Sequence, residues 1–146
     1  MFTQIKFVAS FLLLTFSSLS SQDLDQHRWE QRVILIFGQP PKADLFQQQL
    51  KLLSSTTEKL DDRDLIIYRF FAGKGWGPDD NLLEMPRVEP IRSRYNPNKN
   101  DFQFVLIGKD GGVKLQSEQV VEMNQLFGLI DSMPMRRAEM RRNKKE

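Results

Sequence analysis

Residues 32–37, Arg-Val-Ile-Leu-Ile-Phe, form a continuous apolar run rich in β-branched side chains. A run without polar alternation predicts a strand buried on both faces, in the middle of a sheet covered by helices. Gly38-Gln39-Pro40-Pro41 ends it. Beyond, Ala43, Phe46, Leu50 and Leu53 share one helical stripe, while Gln47, Gln48 and Lys51 fall on the wet side. That spacing predicts a helix over 42–54, with Pro41 tolerated at its start. Residues 64–71 read as a second strand, entered past Asp61 and Asp62. Residues 72–90 hold Gly73, Gly75, Gly77, Pro78, Pro86 and Pro90 and read as irregular. Leu82 and Leu83 anchor one short turn there, and a brief helix follows at 91–95.

Residues 102–107 form the third strand. Gly108-Lys109-Asp110-Gly111-Gly112 is a turn, because glycine and aspartate accept the dihedrals of a tight reversal. Residues 113–115 alternate as a short half-exposed strand. The last long helix is predicted from Ser117, whose hydroxyl suits free amides, with Glu118 in the positive first turn. Val120, Met123, Phe127 and Ile130 are its buried stripe. Pro134 stops it or starts a further short helix. The order is β-α-β, a variable segment, a β-hairpin and a helix. Two apolar strands joined through a helix require a right-handed crossover. The predicted fold is therefore α/β: a thioredoxin-like three-layer sandwich with a mixed central sheet and a C-terminal hairpin plus helix. A small flavodoxin-like sheet is the alternative, disfavoured by the hairpin and the modest length.

The first residues alter this picture. Lys6 precedes an apolar stretch over 7–16, and Ser17, Ser18, Ser20 and Ser21 follow. A basic start, a short apolar core and a small-residue exit read as a secretory signal. The core is short for a membrane span, which needs roughly 20 residues. The expected organisation is a signal peptide over 1–21, one domain over 22–142 and a basic disordered tail over 143–146. The expected location is periplasmic or secreted, with no transmembrane segment after signal removal.

The chain has 146 residues, a formal charge of +2, no cysteine and one histidine. Without cysteine it has no disulfide, thiolate nucleophile or CxxC centre of its own. Residues 22–135 carry 14 basic and 17 acidic residues, whereas 136–146 carry six basic and two acidic. The positive balance thus belongs to the end of the chain and to Lys6, and gives no general argument for nucleic acid.

Three stretches resemble the DUF4174 family: residues 105–115 (Val-Leu-Ile-Gly-Lys-Asp-Gly-Gly-Val-Lys-Leu), residues 126–127 with 130–140 (Ile-Asp-Ser-Met-Pro-Met-Arg-Arg-Ala-Glu-Met), and the Trp29-x-x-Arg32 entry to the first strand. The resemblance spans roughly 24 to 142. It implies a thioredoxin-like domain near the peroxiredoxins, small and exported in bacteria. It also implies kinship with extracellular animal domains of the sushi-repeat and coiled-coil-domain-80 type, and no established activity. Thioredoxin-like enzymes set a reactive cysteine just after the first strand, at a helix N-terminus. Here that place reads Gly38-Gln39-Pro40-Pro41-Lys42.

Candidate binding residues are Arg92, Arg94, Lys109, Lys114, Arg136 and Arg137. Arg92 and Arg94 are placed near the carboxyl ends of the first strands, the usual binding edge of an open sheet. Lys109 and Lys114 flank the glycine turn and suit an anion, although the reversal alone explains those glycines. Met133 to Met140 offers either an adaptable contact surface or a last helix clamped by its methionines. Arg136 or Arg137 is expected to pair with Glu139 or with an acid of the body. His27 has no Ser-His-Asp setting. Trp29 is expected to pack under the first strand, and Asp61, Asp62, Asp64, Asp79 and Asp80 to be loop charge. No cofactor and no metal ligand set is read. The preferred function is a noncatalytic, exported binding or scaffolding domain for an unknown protein or anionic envelope ligand. A cysteine-independent enzyme acting on an anionic small molecule and a structural envelope protein are the alternatives.

Overall fold

The apolar run at 32–37 becomes β1 (Arg32–Gly38), buried along its whole length. A computed structural model describes residues 22–145, so the signal read over 1–21 lies outside the described residues. Successive side chains of a strand point to opposite faces. Ile34 and Ile36 accordingly enter one core, and Val33, Leu35 and Phe37 the other. β1 pairs in parallel with β2 (Leu65–Phe71) and antiparallel with β5 (Phe102–Ile107). β6 (Val113–Ser117) extends the sheet beyond β5. β3 (Lys74–Trp76) and β4 (Leu82–Leu83) extend it beyond β2. The result is a mixed six-stranded sheet of order β4-β3-β2-β1-β5-β6.

Helices cover both faces. Residues 22–25 form a short helix, α1. α2 (Ala43–Ser54), α3 (Thr57–Asp61) and α5 (Met123–Ser132) bring Phe46, Leu53, Leu60, Leu126 and Ile130 to one face. α4 (Met85–Tyr95) brings Val88, Ile91 and Tyr95 to the other. α6 (Pro134–Asn143) follows α5 at once, so Pro134 both ends one helix and opens the next. The architecture is an α/β sandwich.

Four expectations change. The stretch read as irregular holds two short strands, and the helix read at 91–95 starts six residues earlier, at Met85. Pro86 sits in its first turn, where no amide is needed. Pro90 is internal and costs about 3 kcal/mol. Burying Val88 and Ile91 yields roughly 1.5–3 kcal/mol each, enough to offset it. At the other end, α5 starts at Met123 rather than near Ser117, because Ser117 ends β6. The Ser117 hydroxyl accepts from the Gln119 amide at 3.0 Å and donates to its carbonyl at 2.8 Å, holding a turn instead of a helix. The buried Gln49 then grips the link: its Oε1 accepts from the Val121 amide at 2.7 Å and its Nε2 donates to the Val121 carbonyl at 3.1 Å. Trp29 does not pack under β1; it is 66% exposed.

Two glycines fix local geometry. Gly111 has φ +82, the left-handed conformation the β5–β6 turn requires, closed by Gly108 N–H to the Gly112 carbonyl at 2.8 Å. Gly38 closes β1 where the Phe46 and Phe71 rings meet, 5.0 Å apart between centroids. A Cβ there would stand 2.6 Å from Phe46 and 2.9 Å from Phe71.

Candidate functional site

The two ends of β1 carry different chemistry. At its amino end Arg32 opens an otherwise apolar strand and is 1% exposed. Its amide donates to the Asp64 carbonyl at 2.8 Å and Nη1 donates to the Arg63 carbonyl at 2.8 Å. Both guanidinium nitrogens reach Glu139 of α6, each at 3.2 Å. Antiparallel β5 delivers Lys109 to the same end. Lys109 Nζ lies 2.7 Å from Asp64 Oδ2 and 2.8 Å from Glu139 Oε1.

A second group adjoins. Arg63 grips Asp131 in a two-pronged contact at 3.0 and 2.7 Å, with its guanidinium 4.6 Å from the Phe127 ring centre. Arg136 is 4% exposed. It donates to the Asp62 carbonyl at 2.6 Å, pairs with the Asp62 carboxylate, and contacts Asp131 at 3.3 Å and Glu139 at 3.6 Å. Burial pushes the Glu139 carboxyl upward, but hydrogen bonds from Lys109 and Arg32 and their charges hold it below the ordinary 4.5. Burial likewise opposes Arg63 and Arg136 at Asp131, and the arginines win, lowering it. No buried side-chain nitrogen or oxygen among the described residues lacks a partner. This end is a fully paired ionic joint that seats α6.

The carboxyl end is open. Gln39 follows β1, and Ala72 and Gly73 follow β2. Together with one face of α4 and the 96–99 turn they border a groove of about 540 Å³. Met85, Glu89, Arg92, Ser93 and Asn96 recur along that face at helical spacing. Arg92 Nη1 lies 4.0 Å from where a Gly73 Cβ would stand. Neither Arg92 nor Lys99 has a carboxylate partner among the described residues. Asn96 is buried and anchors the turn, donating to the Asn100 carbonyl at 3.1 Å and accepting from its amide at 2.9 Å. Glu89 shares the rim and accepts from Ser93 at 3.4 Å.

The six cations singled out by sequence thus do not gather at one site; only Lys109 and Arg136 come together, on Glu139. Arg92 lines the carboxyl-end groove. Arg94, two residues on, stands 5.2 Å from the Tyr95 ring centre and borders a crevice with His27 and Gly111. Lys109 and Arg136 are consumed in the ionic joint. Lys114 pairs with Asp110 at 2.7 Å across the glycine turn. Arg137 is exposed on α6. The expected pairing of Arg136 with Glu139 is present. Asp62 and Asp64, read as loop charge, are joint members, and Asp80 pairs with Arg69. His27 is held by Gln31 at 2.6 Å and Tyr68 at 2.9 Å.

Sequence reasoning missed Arg32, Gln39 and Lys99. Arg32 had a signal: a charge heading a strand buried on both faces must carry its partner inside with it.

Among the described residues no three His, Cys, Asp or Glu side chains are grouped to hold a metal ion. No helix among them is long and apolar enough to cross a membrane. With no cysteine, thiol chemistry lies outside what this chain's own side chains can do. Fold and site together define an α/β sandwich domain whose cations are, among the described residues, paired at one end of the sheet and unpaired in a polar groove at the other. The chain belongs to the DUF4174 family, described as a domain of unknown function, whose model matches residues 23–139. It is similar to coiled-coil domain-containing protein 80 of Danio rerio, 28% identical over 134 residues. That match covers 80% of this chain and 15% of the zebrafish protein. No solved structure matches it.

Proposed function

We propose that this is an exported, noncatalytic, thioredoxin-like binding domain that holds an anionic group of its ligand or partner in the groove at the carboxyl end of β1 and β2. The observation that carries this reading is Arg92, placed in that groove without a carboxylate partner among the described residues. The strand arrangement β2-β1-β5-β6, with only β1 and β2 parallel and α2 following β1, supports the thioredoxin-like reading. Residues 38–42, where such folds keep a reactive thiol, offer Gly-Gln-Pro-Pro-Lys instead. The dispersal of Arg92, Arg94, Lys109 and Lys114 counts against an enzyme gathering them around one anionic substrate. The basic start, short apolar core and serine-rich exit over 1–21 support export to the periplasm or medium.

Thermal-shift titration with inorganic phosphate and with citrate tests the groove. A saturable rise in the midpoint that vanishes in Arg92→Ala supports the reading. No rise with either probe, or a rise that survives Arg92→Ala, counts against it.

A further inference from the structure

At the opposite end of the sheet, Trp29 stands exposed beside α6 and combines three features. It is the exposed wall of a groove of about 490 Å³ shared with Met135, Ala138, Arg141, Arg142 and Lys145. It adopts φ 69, a left-handed conformation that a bulky L residue rarely takes. Its neighbours hold it there: Trp29 N–H donates to the Lys109 carbonyl at 2.7 Å, and the Glu30 and Gln31 amides both donate to the His27 carbonyl. Strain of this kind gathers at binding and switch sites, where the surrounding structure over-determines it. Here the strained backbone presents an indole that packs against no core.

The groove is also one-signed. Its floor holds Lys109 and Glu139, which neutralise each other at 2.8 Å, with Arg32 behind them. Its rim holds Arg141, Arg142 and Lys145, none with a carboxylate partner among the described residues. We propose that this groove docks an acidic segment of a partner protein, the indole and the Met135 thioether taking apolar side chains between the acids. Tryptophan, methionine and arginine are the residues enriched in protein–protein interfaces, and complementary charge steers the encounter. The concave shape suits a chain more than a flat lipid surface. The surface lies at the other end of the domain from the Arg92 groove and stands or falls separately from it.

The test uses the full chain carrying Trp76→Phe, so that Trp29 is the remaining indole, and a fluorescein-labelled peptide of repeating Glu-Glu-Leu. A saturable blue shift of Trp29 emission, with peptide anisotropy rising in parallel and weakening as salt is added, is the expected result. Arg141→Glu with Arg142→Glu weakens binding about tenfold or more. Trp29→Gly abolishes binding yet leaves the thermal midpoint equal or higher, because glycine relaxes the left-handed site. The proposal is overturned by an absent blue shift or by unchanged affinity in the charge-reversed variant. Tighter binding of anionic vesicles, a sulfated polysaccharide or an oligonucleotide than of the peptide also overturns it. So does a fall in midpoint for Trp29→Gly, which would make the indole a packing residue.

Discussion

The amino and carboxyl ends of β1 use the same residue types for opposite purposes. At the amino end Arg32, Arg63, Lys109 and Arg136 each meet one or more carboxylates; the cations and Glu139 are withdrawn from water, while Asp62 and Asp64 reach in from the surface. At the carboxyl end Arg92 and Lys99 border open space. A buried cation without a partner costs several kcal/mol, so burial and pairing must arrive together. A half-exposed cation is already hydrated and carries no such demand. An arginine's role is therefore read from its partners and its water, not from its presence in a motif.

The sharpest way to break this contrast is to remove one side of the joint. Glu139→Ala leaves Arg32 buried without its carboxylate and takes one of the two acids from Lys109. The expected loss is about 3–5 kcal/mol, measured by urea unfolding, with α6 becoming the first site of limited proteolysis. Replacing Arg32, Lys109 and Glu139 together by Met, Met and Leu removes two buried cations with the carboxylate they share, leaving the exposed Asp64 to water and Arg136 to Asp62 and Asp131. That variant is expected to match the wild type or exceed it by about 1–4 kcal/mol. If the single variant were as stable as the triple, the joint would be a surface network and the contrast would fail.

Next in size is Gly38→Ala, which brings the comparison to the carboxyl end. The added methyl meets the Phe46 and Phe71 rings at 2.6 and 2.9 Å. Phe71 is partly buried, but Phe46 is held in the core. A loss of about 1–3 kcal/mol is expected, read from the shift of the unfolding midpoint.

These two variants also mark what was legible in the sequence. The strands at 32–37 and 102–107 announced themselves because a strand buried on both faces needs nearly continuous apolar side chains, interrupted here only by Arg32 and Gln103. α4 did not, since the internal Pro90 argues against helix locally and only the packing of Val88 and Ile91 overrides it. Ser117 has the chemistry of a cap and spends it on Gln119. The ionic joint was the least legible part. Its members at 32, 62–64, 109, 131, 136 and 139 are scattered along the chain, and only Asp62–Arg63 and the contacts of Arg136 with Asp131 and Glu139 are local. Trp29 misled for a related reason: composition says that tryptophan is usually buried, while the turn that exposes it is set by a backbone bond to Lys109.

Acid sharpens the contrast without mutation. Glu139 and Asp131 titrate below their ordinary values of 4.5 and 3.8 when folded. A carboxylate lowered in the native state contributes stability that is complete above its unfolded value and is lost as pH falls through the native one. The joint is therefore expected to hold unchanged at neutral pH, to weaken as pH drops past about 4.5, and to lose its contribution below the native values. Glu139→Gln flattens that acid limb, whereas Arg92→Ala leaves it as it was. Equal acid limbs in wild type and Glu139→Gln, followed by urea unfolding across the pH range, would remove Glu139 from the account.

The smallest effect belongs to Arg92 itself. Its guanidinium has no carboxylate to abandon among the described residues, and truncation exposes groove that is already wet. Arg92→Ala is expected to change stability by no more than about 0.5 kcal/mol, against several for any equivalent cut at the joint. The aliphatic stem of an arginine often covers apolar surface, so Arg92→Gln, which keeps most of that stem, separates packing from charge. If Arg92→Ala cost a kcal/mol or more and Arg92→Gln cost nothing, the side chain would be a cover for the sheet edge. If both were neutral in stability while the response to phosphate or citrate disappeared, the charge would be held for a ligand.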